Sequence, residues 1–258
     1  MSSYLKDSQH LMQESSSLKL EQNIKIHVGD FENLYLNITH NEAILIITEL
    51  YSELDITNKH FNIIAFNKIL KLALNNNFFK FKKKFFKQII GIAMGSKCGP
   101  AVANLVVYYF ERTWLKIQKP LFYKRYLDDV MAIDNKDISS ILSAFGNLKL
   151  NLCSGVKQNF LDLIIEFDKI TNSLFFSMYI KPTNSRSFLN YESNHPNFIL
   201  KNIPKSQFIR IRRICSRMSD YFYFTRRLIF QLIQLGYDFK KLNKLSLSIS
   251  KLDRADLI

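Results

Sequence analysis

Cysteine is scarce in this sequence. Its 258 residues hold three, Cys98, Cys153 and Cys215, in no CxxC pair and at no spacing that suits a metal ion. That pattern points to a reducing, intracellular setting. The N-terminus, MSSYLKDSQHLMQESSS, has no basic stretch followed by an apolar core, so no secretory signal is read there. No apolar run reaches the length of a membrane span; Gly95 to Phe110 comes nearest, and Lys97 and Asn104 interrupt it. Internal repeats are missing too. Acidic residues are few beside basic ones, 22 against 36, for a formal charge of +14.

What is present excludes a disordered chain. Hydrophobic residues make up 47% and aromatic ones 14%, enough to build a core as one large domain or two small ones. The charge is unevenly placed: residues 181–258 carry 15 Lys/Arg against 5 Asp/Glu. A basic C-terminal third beside a nearly balanced remainder suggests a polyanion-gripping module joined to a chemical one. Solvated lysines are the plain alternative.

Residues 1–23 are polar and Ser-rich and read as loosely ordered. Ile24, Ile26 and Val28 alternate with polar residues, the period of a half-buried strand ending at Gly29-Asp30. Thr39-His40-Asn41-Glu42 has capping-box spacing and opens a helix over 43–54. A second helix is predicted over 58–74, broken by Asn75-Asn76-Asn77, and a Phe/Lys-alternating run follows from Phe78 to Phe86. Pro100 suits the first turn of a helix through Trp114. A short helix is expected near 139–148, a hairpin from 161–165 and 174–179, and helices near 205–218 and 221–235. Strands in the middle with helices packed on them read as α+β.

The stretch richest in chemistry is Tyr126-Leu127-Asp128-Asp129. Phe122 to Leu127 is aromatic, extended and free of breakers, and Val130 to Ile133 reads as a second strand, so both aspartates are expected in a two-residue hairpin loop. Two carboxylates about 4 Å apart near a surface repel by roughly 4 kcal/mol. A divalent cation reverses that sign, and Mg²⁺ is commonly held by one or two carboxylates plus substrate phosphates. A solvated Asp-Asp turn is the bland reading. Asp30 ends an apolar strand and meets the hairpin tip if the two strands share a sheet; such a trio suits two ions roughly 3.5–4 Å apart. Gly91 to Pro100 is a glycine-punctuated loop leading into a helix, where backbone approaches a ligand closely, although it lacks the GxxxxGK[ST] and GxGxxG spacings. His195 beside Pro196 has no second ligand at metal spacing and reads as a turn residue.

Together these segments resemble a reverse transcriptase palm, and most closely that of Penelope-like retroelements, from about Ile24 to Asp238. Residues 30–38 (DFENLYLNI) look like the family's first catalytic motif, 88–105 like its Q-x-x-G-x-A-M-G-S loop with the helix behind it, and Arg125-Tyr126-Leu127-Asp128-Asp129 matches R-Y-[VL]-D-D. Phe160-Leu161-Asp162, Tyr179 to Thr183, Ser193 to Pro196, Arg210 to Ser216 and Gly236-Tyr237 follow in the family's order. Lys97 and Gly99 stand where the family usually has Pro and Ser.

The resemblance implies an RNA-directed DNA polymerase: a palm over 24–183 with partial fingers, a basic helical thumb over 184–258, and fingers largely missing, to be supplied by an upstream region or another chain. Asp30 and Asp128 would bind two Mg²⁺ ions (Mn²⁺ as a substitute), with Asp129 beside them. Phe31, Tyr35, Met94 and Gly95 would form the dNTP pocket, Tyr35 against the sugar; core packing is the alternative for Tyr35 and Met94. Tyr126, Leu127 and Lys181 would meet the primer. Arg210, Arg213 and Arg217, sharing one face of a predicted helix, would hold the phosphates of the RNA template and DNA primer duplex. The implied location is nuclear, with no membrane partner. Two rival readings stand beside it. One is an inactive remnant that binds nucleic acid; the other is a basic membrane-surface protein using Phe78 to Phe86 and Tyr221 to Arg227.

Overall fold

A computed structural model of the chain describes residues 3–54, 62–185 and 187–258. Helix α1 (Ser8–Ser16) and strand β1 (Lys25–Phe31) come first, followed by α2 (Leu34–Asn37), α3 (His40–Ser52) and α4 (Ile63–Asn75). A hairpin of β2 (Phe78–Phe81) and β3 (Lys84–Lys87) leads to the long helix α5 (Gly99–Gln118) and a second hairpin, β4 (Phe122–Tyr126) and β5 (Asp129–Asp134). After a 3-10 turn at Ser139–Ser143 come β6 (Leu150–Gly155), β7 (Lys157–Phe160), β8 (Leu163–Asp168) and β9 (Ser173–Met178). Helices α6 (Asn197–Ile214), α7 (Met218–Gln234) and α8 (Phe239–Ser250) close the chain. No helix among the described residues is long and apolar enough to cross a membrane.

Among the described residues the strands form three sheets: β4-β5-β1-β6, the pair β2-β3, and β7-β8-β9. Contacts divide the chain into two compact units, Gly29–Cys153 and a second made of Met1–Val28 with Ser154–Ile258. The expected palm over 24–183 and thumb over 184–258 divide differently, since β7–β9 group with the C-terminal helices.

In the Gly29–Cys153 unit, α5 buries Val102, Ala103, Val106, Val107 and Trp114 against Phe31, Ile38, Ala132 and Phe145. Those spacings make one helical stripe, and each fully buried aliphatic side chain contributes about 1.5–3 kcal/mol. The N-cap half of the expected capping box forms: Thr39 caps α3 by accepting the Glu42 N–H at 3.2 Å. The predicted helix over 58–74 begins outside the described residues; its described part is α4.

In the second unit, Leu200, Pro204, Phe208, Ile211 and Ile214 form the buried stripe of α6. Phe208 and Ile211 pack with Tyr221, Leu228, Leu232 and Leu242 of α7 and α8, and the Tyr221 hydroxyl donates to the Ser246 carbonyl at 2.7 Å. Burial, with Asp220 nearby, pushes the Cys215 thiol up to about 12, so it is an inert core thiol.

The structure corrects four expectations. Of the segment 1–23, read as loosely ordered, the described residues 3–23 are packed: Asp7 caps α1, Leu5 and Leu11 are fully buried, and the Gln9 and Gln13 amides both donate to the Ile258 carbonyl at 2.5 Å. The helix expected near 205–218 starts at Asn197, runs through Pro204 and stops at Ile214, because the apolar stripe continues on both sides of the proline. A third C-terminal helix, α8, was not anticipated. The strand expected from 161 begins at Leu163, because Leu161-Asp162 is the two-residue turn joining β7 to β8, with Leu161 at φ 53°.

Leu11→Ala should therefore shift the urea midpoint by the equivalent of about 2–5 kcal/mol, as a buried leucine truncation does. A change below about 0.5 kcal/mol, the level of a surface substitution, would show that α1 does not pack.

Candidate active site

Strand β1 lies beside β5, and the Phe31 N–H donates to the Asp128 carbonyl at 3.2 Å. That bond ties the end of β1, which carries Asp30, to the tip of the β4–β5 hairpin, which carries Asp128. Asp30 is exposed, and Asp128 and Asp129 are half-buried.

The hairpin differs from its sequence prediction by one residue. Tyr126 pairs with Asp129, so the loop is Leu127-Asp128 and Asp129 begins β5. Leu127 makes the difference with a left-handed backbone, φ 53°. A non-glycine residue held there costs about 1–3 kcal/mol. The cost is offset by Arg125, whose Nη1 donates to the Leu127 carbonyl at 2.9 Å. Asp128 and Asp129 are therefore unequal: one is a loop residue, the other a member of the ladder.

Arg125 is 5% exposed and uses all five of its donors. Nε and Nη2 reach the two Glu111 carboxylate oxygens at 2.7 and 3.4 Å. Nη1 and Nη2 reach the Asn104 side-chain and backbone oxygens at 2.7 and 3.2 Å. The Tyr123 hydroxyl donates to Glu111 at 3.2 Å. Burial first, and then the Glu111 charge, raise the Tyr123 phenol well above its ordinary value. This network was missed as a set of roles, although Arg125 lies within RYLDD and Asn104 within the 88–105 segment singled out in the sequence.

The glycine loop is bonded to the neighbourhood of the aspartates. The Ile92 N–H donates to the Tyr35 carbonyl at 2.6 Å. Gly91 has φ 79°, and a Cβ there would lie 3.0 Å from the Tyr35 oxygen and from the Leu36 Cα, so only glycine fits. Its carbonyl accepts from the Gln88 amide at 3.1 Å and meets His40 Nε2 at 2.8 Å, while His40 Nδ1 meets Asn75 at 2.8 Å. Gly99 is likewise hemmed in: a Cβ there would lie 2.7 Å from the Ala93 carbonyl oxygen.

Tyr35 is half-buried against the core, and its phenol is raised first by burial and then by the charge of Asp128. It therefore both packs against the core and feels the charge of Asp128. Met94 is 68% exposed, which rules out core packing, and a Cβ on Gly95 would meet nothing within 4 Å. Phe31 is corrected: it is 3% exposed and packs edge-on to Phe145, centroids 4.8 Å apart, so its side chain belongs to the core and not to a nucleotide pocket. Tyr126 and Leu127 are half-buried at the hairpin tip.

The other expected contacts lie in the second unit. Lys181 is exposed in a turn closed by the Asn184 N–H on its carbonyl at 3.0 Å. Arg210, Arg213 and Arg217 do not form one phosphate-facing row, because α6 ends before Arg217. Arg210 pairs with Asp162 at 2.6 Å, and Arg213 donates to Gln9 at 2.8 Å. Arg217 lies 3.6 Å from Glu166 with its guanidinium 4.0 Å over the Phe175 ring.

Among the described residues no group of three or more His, Cys, Asp or Glu side chains is placed to hold a metal ion by itself. The donor chemistry of Asp30 and Asp128 still fits Mg²⁺, a hard ion that takes one or two carboxylates from a protein and the rest of its shell from phosphates and water.

A family model described as an animal helix-turn-helix domain matches residues 187–244, covering α6, α7 and the start of α8. No curated protein matches the chain. Among solved structures, the Candida albicans telomerase in complex with the TWJ fragment of telomeric RNA superposes with a TM-score of 0.65 at 12% identity, over 94% of this chain and 44% of that one. The equivalent Candida tropicalis complex gives 0.51 at 10% identity, over 99% and 52%. The Sicinivirus 3Dpol RNA-dependent RNA polymerase gives 0.50 at 14% identity, over 95% and 54%. The chain spans about half the length of these structures. At such identities the likeness is one of fold: α+β, with antiparallel sheets and packed helices of the palm-like kind found in reverse-transcriptase-like polymerases.

Arg125→Met should destabilise the chain by about 3–5 kcal/mol, since it strands Glu111 in the core. Arg125→Met/Glu111→Met should recover most of that loss in urea unfolding. No recovery in the double variant would mean that the arginine acts through its contacts to Asn104 and Leu127 and not through the ion pair.

Proposed function

We propose that the chain is the palm and thumb of an RNA-directed DNA polymerase, of the kind found in Penelope-like retroelements, that extends a DNA primer on an RNA template. The observation that supports this reading is the Phe31–Asp128 backbone bond, which joins the strand end that carries Asp30 to the hairpin tip that carries Asp128, nearly a hundred residues away in sequence. The palm-like fold shared with polymerases supports it, as does the RNA in the Candida telomerase complexes.

Asp30 and Asp128 would hold Mg²⁺, with Mn²⁺ as a substitute and Asp129 adjoining. Bound there, the ions supply Lewis-acid activation of the primer 3′-hydroxyl and neutralise the charge leaving with pyrophosphate. The chain's own residues position the reactants. Tyr35, its phenol raised and so neutral at physiological pH, sets an aromatic ring where a ribose 2′-hydroxyl would clash, which favours dNTPs. Gly95 leaves open space for a base or sugar, and exposed Met94 offers it an apolar contact. In the C-terminal helices the exposed Lys201, Lys205, Lys240, Lys241 and Lys244 suit phosphate contacts.

Primer extension on an RNA template with Mg²⁺ and dNTPs tests the reading. Asp128→Asn should lower turnover by orders of magnitude, each tenfold being about 1.4 kcal/mol of barrier, while leaving duplex binding nearly intact. Tyr35→Ala should admit ribonucleotides. Extension that survives Asp128→Asn would place the chemistry elsewhere. Tight binding without extension in any condition would favour an inactive remnant.

A further inference from the structure

Hairpin β2–β3 contributes no side chain to either core. Phe78 to Lys87 holds five phenylalanines and five lysines with no acidic residue. Every residue of both strands is exposed, Phe78 by 63%, Phe81 by 58% and Phe85 by 75%. Exposed phenylalanines on a two-stranded ribbon forgo hydrophobic stabilisation in the free chain.

The register sorts them onto two mixed faces. Phe78, Lys80, Phe85 and Lys87 share one; Phe79, Phe81, Lys84 and Phe86 share the other. Phe79 and Phe86 stack across the strands with centroids 5.5 Å apart and planes 19° from parallel. Lys80 lies 5.7 Å over the Phe85 ring and Lys82 5.4 Å over the Phe81 ring. The turn residues Lys82 and Lys83 have φ 45° and 66°, a conformation for which hairpins favour Asn-Gly, so lysines sit at the tip against the local backbone preference. The Gln88 N–H closes the base on the Asn77 carbonyl at 2.9 Å, which makes the ribbon a defined element.

We propose that this hairpin binds single-stranded nucleic acid, its phenylalanines stacking on bases and its lysines meeting phosphates. Flat rings alternating with cations, and no carboxylate, match a polymer whose repeat is one flat base and one anion. A merely solvated face needs no exposed phenylalanine, and an apolar docking face needs no set of five lysines among ten residues. The inference goes beyond the polymerase reading and does not depend on it, because the grip is independent of Asp128.

The test is anisotropy of a labelled oligo-dT of about twenty nucleotides with the full chain, several site sizes long. Binding of equimolar phosphatidylcholine/phosphatidylserine vesicles is measured in parallel. Phe78→Ala/Phe85→Ala should weaken oligo-dT binding about tenfold or more, and Phe78→Ala/Phe85→Trp should recover much of it. Lys80→Gln/Lys84→Gln/Lys87→Gln should reduce the log–log salt slope by about 2, at roughly 0.7 per phosphate on a single strand. The proposal is overturned if the parent chain does not bind oligo-dT, or if these variants bind it as the parent does. A tryptophan variant as weak as the alanine one would also overturn it, since stacking would not be what was lost. So would phenylalanine variants that lose vesicle binding and keep oligo-dT.

Discussion

The guanidinium of Arg125 is the constraint on which the candidate site depends. Its planar fork reaches Glu111 and Asn104 on α5 and the Leu127 carbonyl in the β4–β5 turn at once. One buried group thus fixes the distance between the main helix of the unit and the loop that carries Asp128. A buried ion pair is seldom worth more than well-packed apolar residues of the same volume. Stability alone therefore does not account for it. What an apolar pair could not supply is a donor for the Leu127 carbonyl, and so a hold on the left-handed turn. Lysine could not replace it, because its point charge lacks the fork that serves three partners in one plane.

The same logic runs outward from the turn. With Leu127 fixed, the Asp128 carbonyl is aimed at β1 and accepts the Phe31 N–H, while the Phe31 side chain is locked edge-on to Phe145. Asp30 is thus set by backbone on one side and by core packing on the other. The glycine loop is held independently by His40, Gln88 and the Tyr35 carbonyl. Residues meant to act on a reacting centre are best placed on rigid elements with their supports already bonded. Here the exposed members, Asp30, Met94 and Gly95, stand on backbone that buried residues hold.

Much of this was legible in the sequence, and the rest failed for identifiable reasons. The α3 cap, Pro100 at the head of α5 and the hairpin expected from 161–165 and 174–179, which forms from 163–168 and 173–178, follow from local signals, which are strong in short windows. The one-residue shift of the Asp128 hairpin was not legible, because a leucine in a left-handed turn runs against its propensity. The Arg125 bond to the Leu127 carbonyl accounts for it, from a guanidinium that Glu111 and Asn104 of α5 hold in place. Phe31 looked like part of a pocket because it adjoins Asp30, but neighbours along a strand face opposite ways and this one faces the core. Polarity hid α1, whose three buried positions, Leu11, Met12 and Ser15, are too few to give a periodic signal. Helix α8 has a similarly narrow stripe of Leu242, Ser246 and Ile249.

The arginines of the C-terminal third show why net charge alone misleads about grip. All three expected phosphate contacts already have protein partners, but these differ in kind. Arg210 with Asp162 and Arg217 with Glu166 are partly exposed pairs, with side chains 45% and 28% exposed in the first and 38% and 35% in the second. Such pairs contribute about 0–1 kcal/mol and exchange readily with a passing phosphate. Arg213 is different: it is half-buried, donates to Gln9 of α1, and its carbonyl accepts the Arg254 Nε–H at 2.9 Å. Releasing it to a phosphate would break its bond to Gln9 of α1. Part of the +10 of residues 181–258 is therefore structural, and the rest, exposed lysines and loosely paired arginines, is what a polyanion can reach.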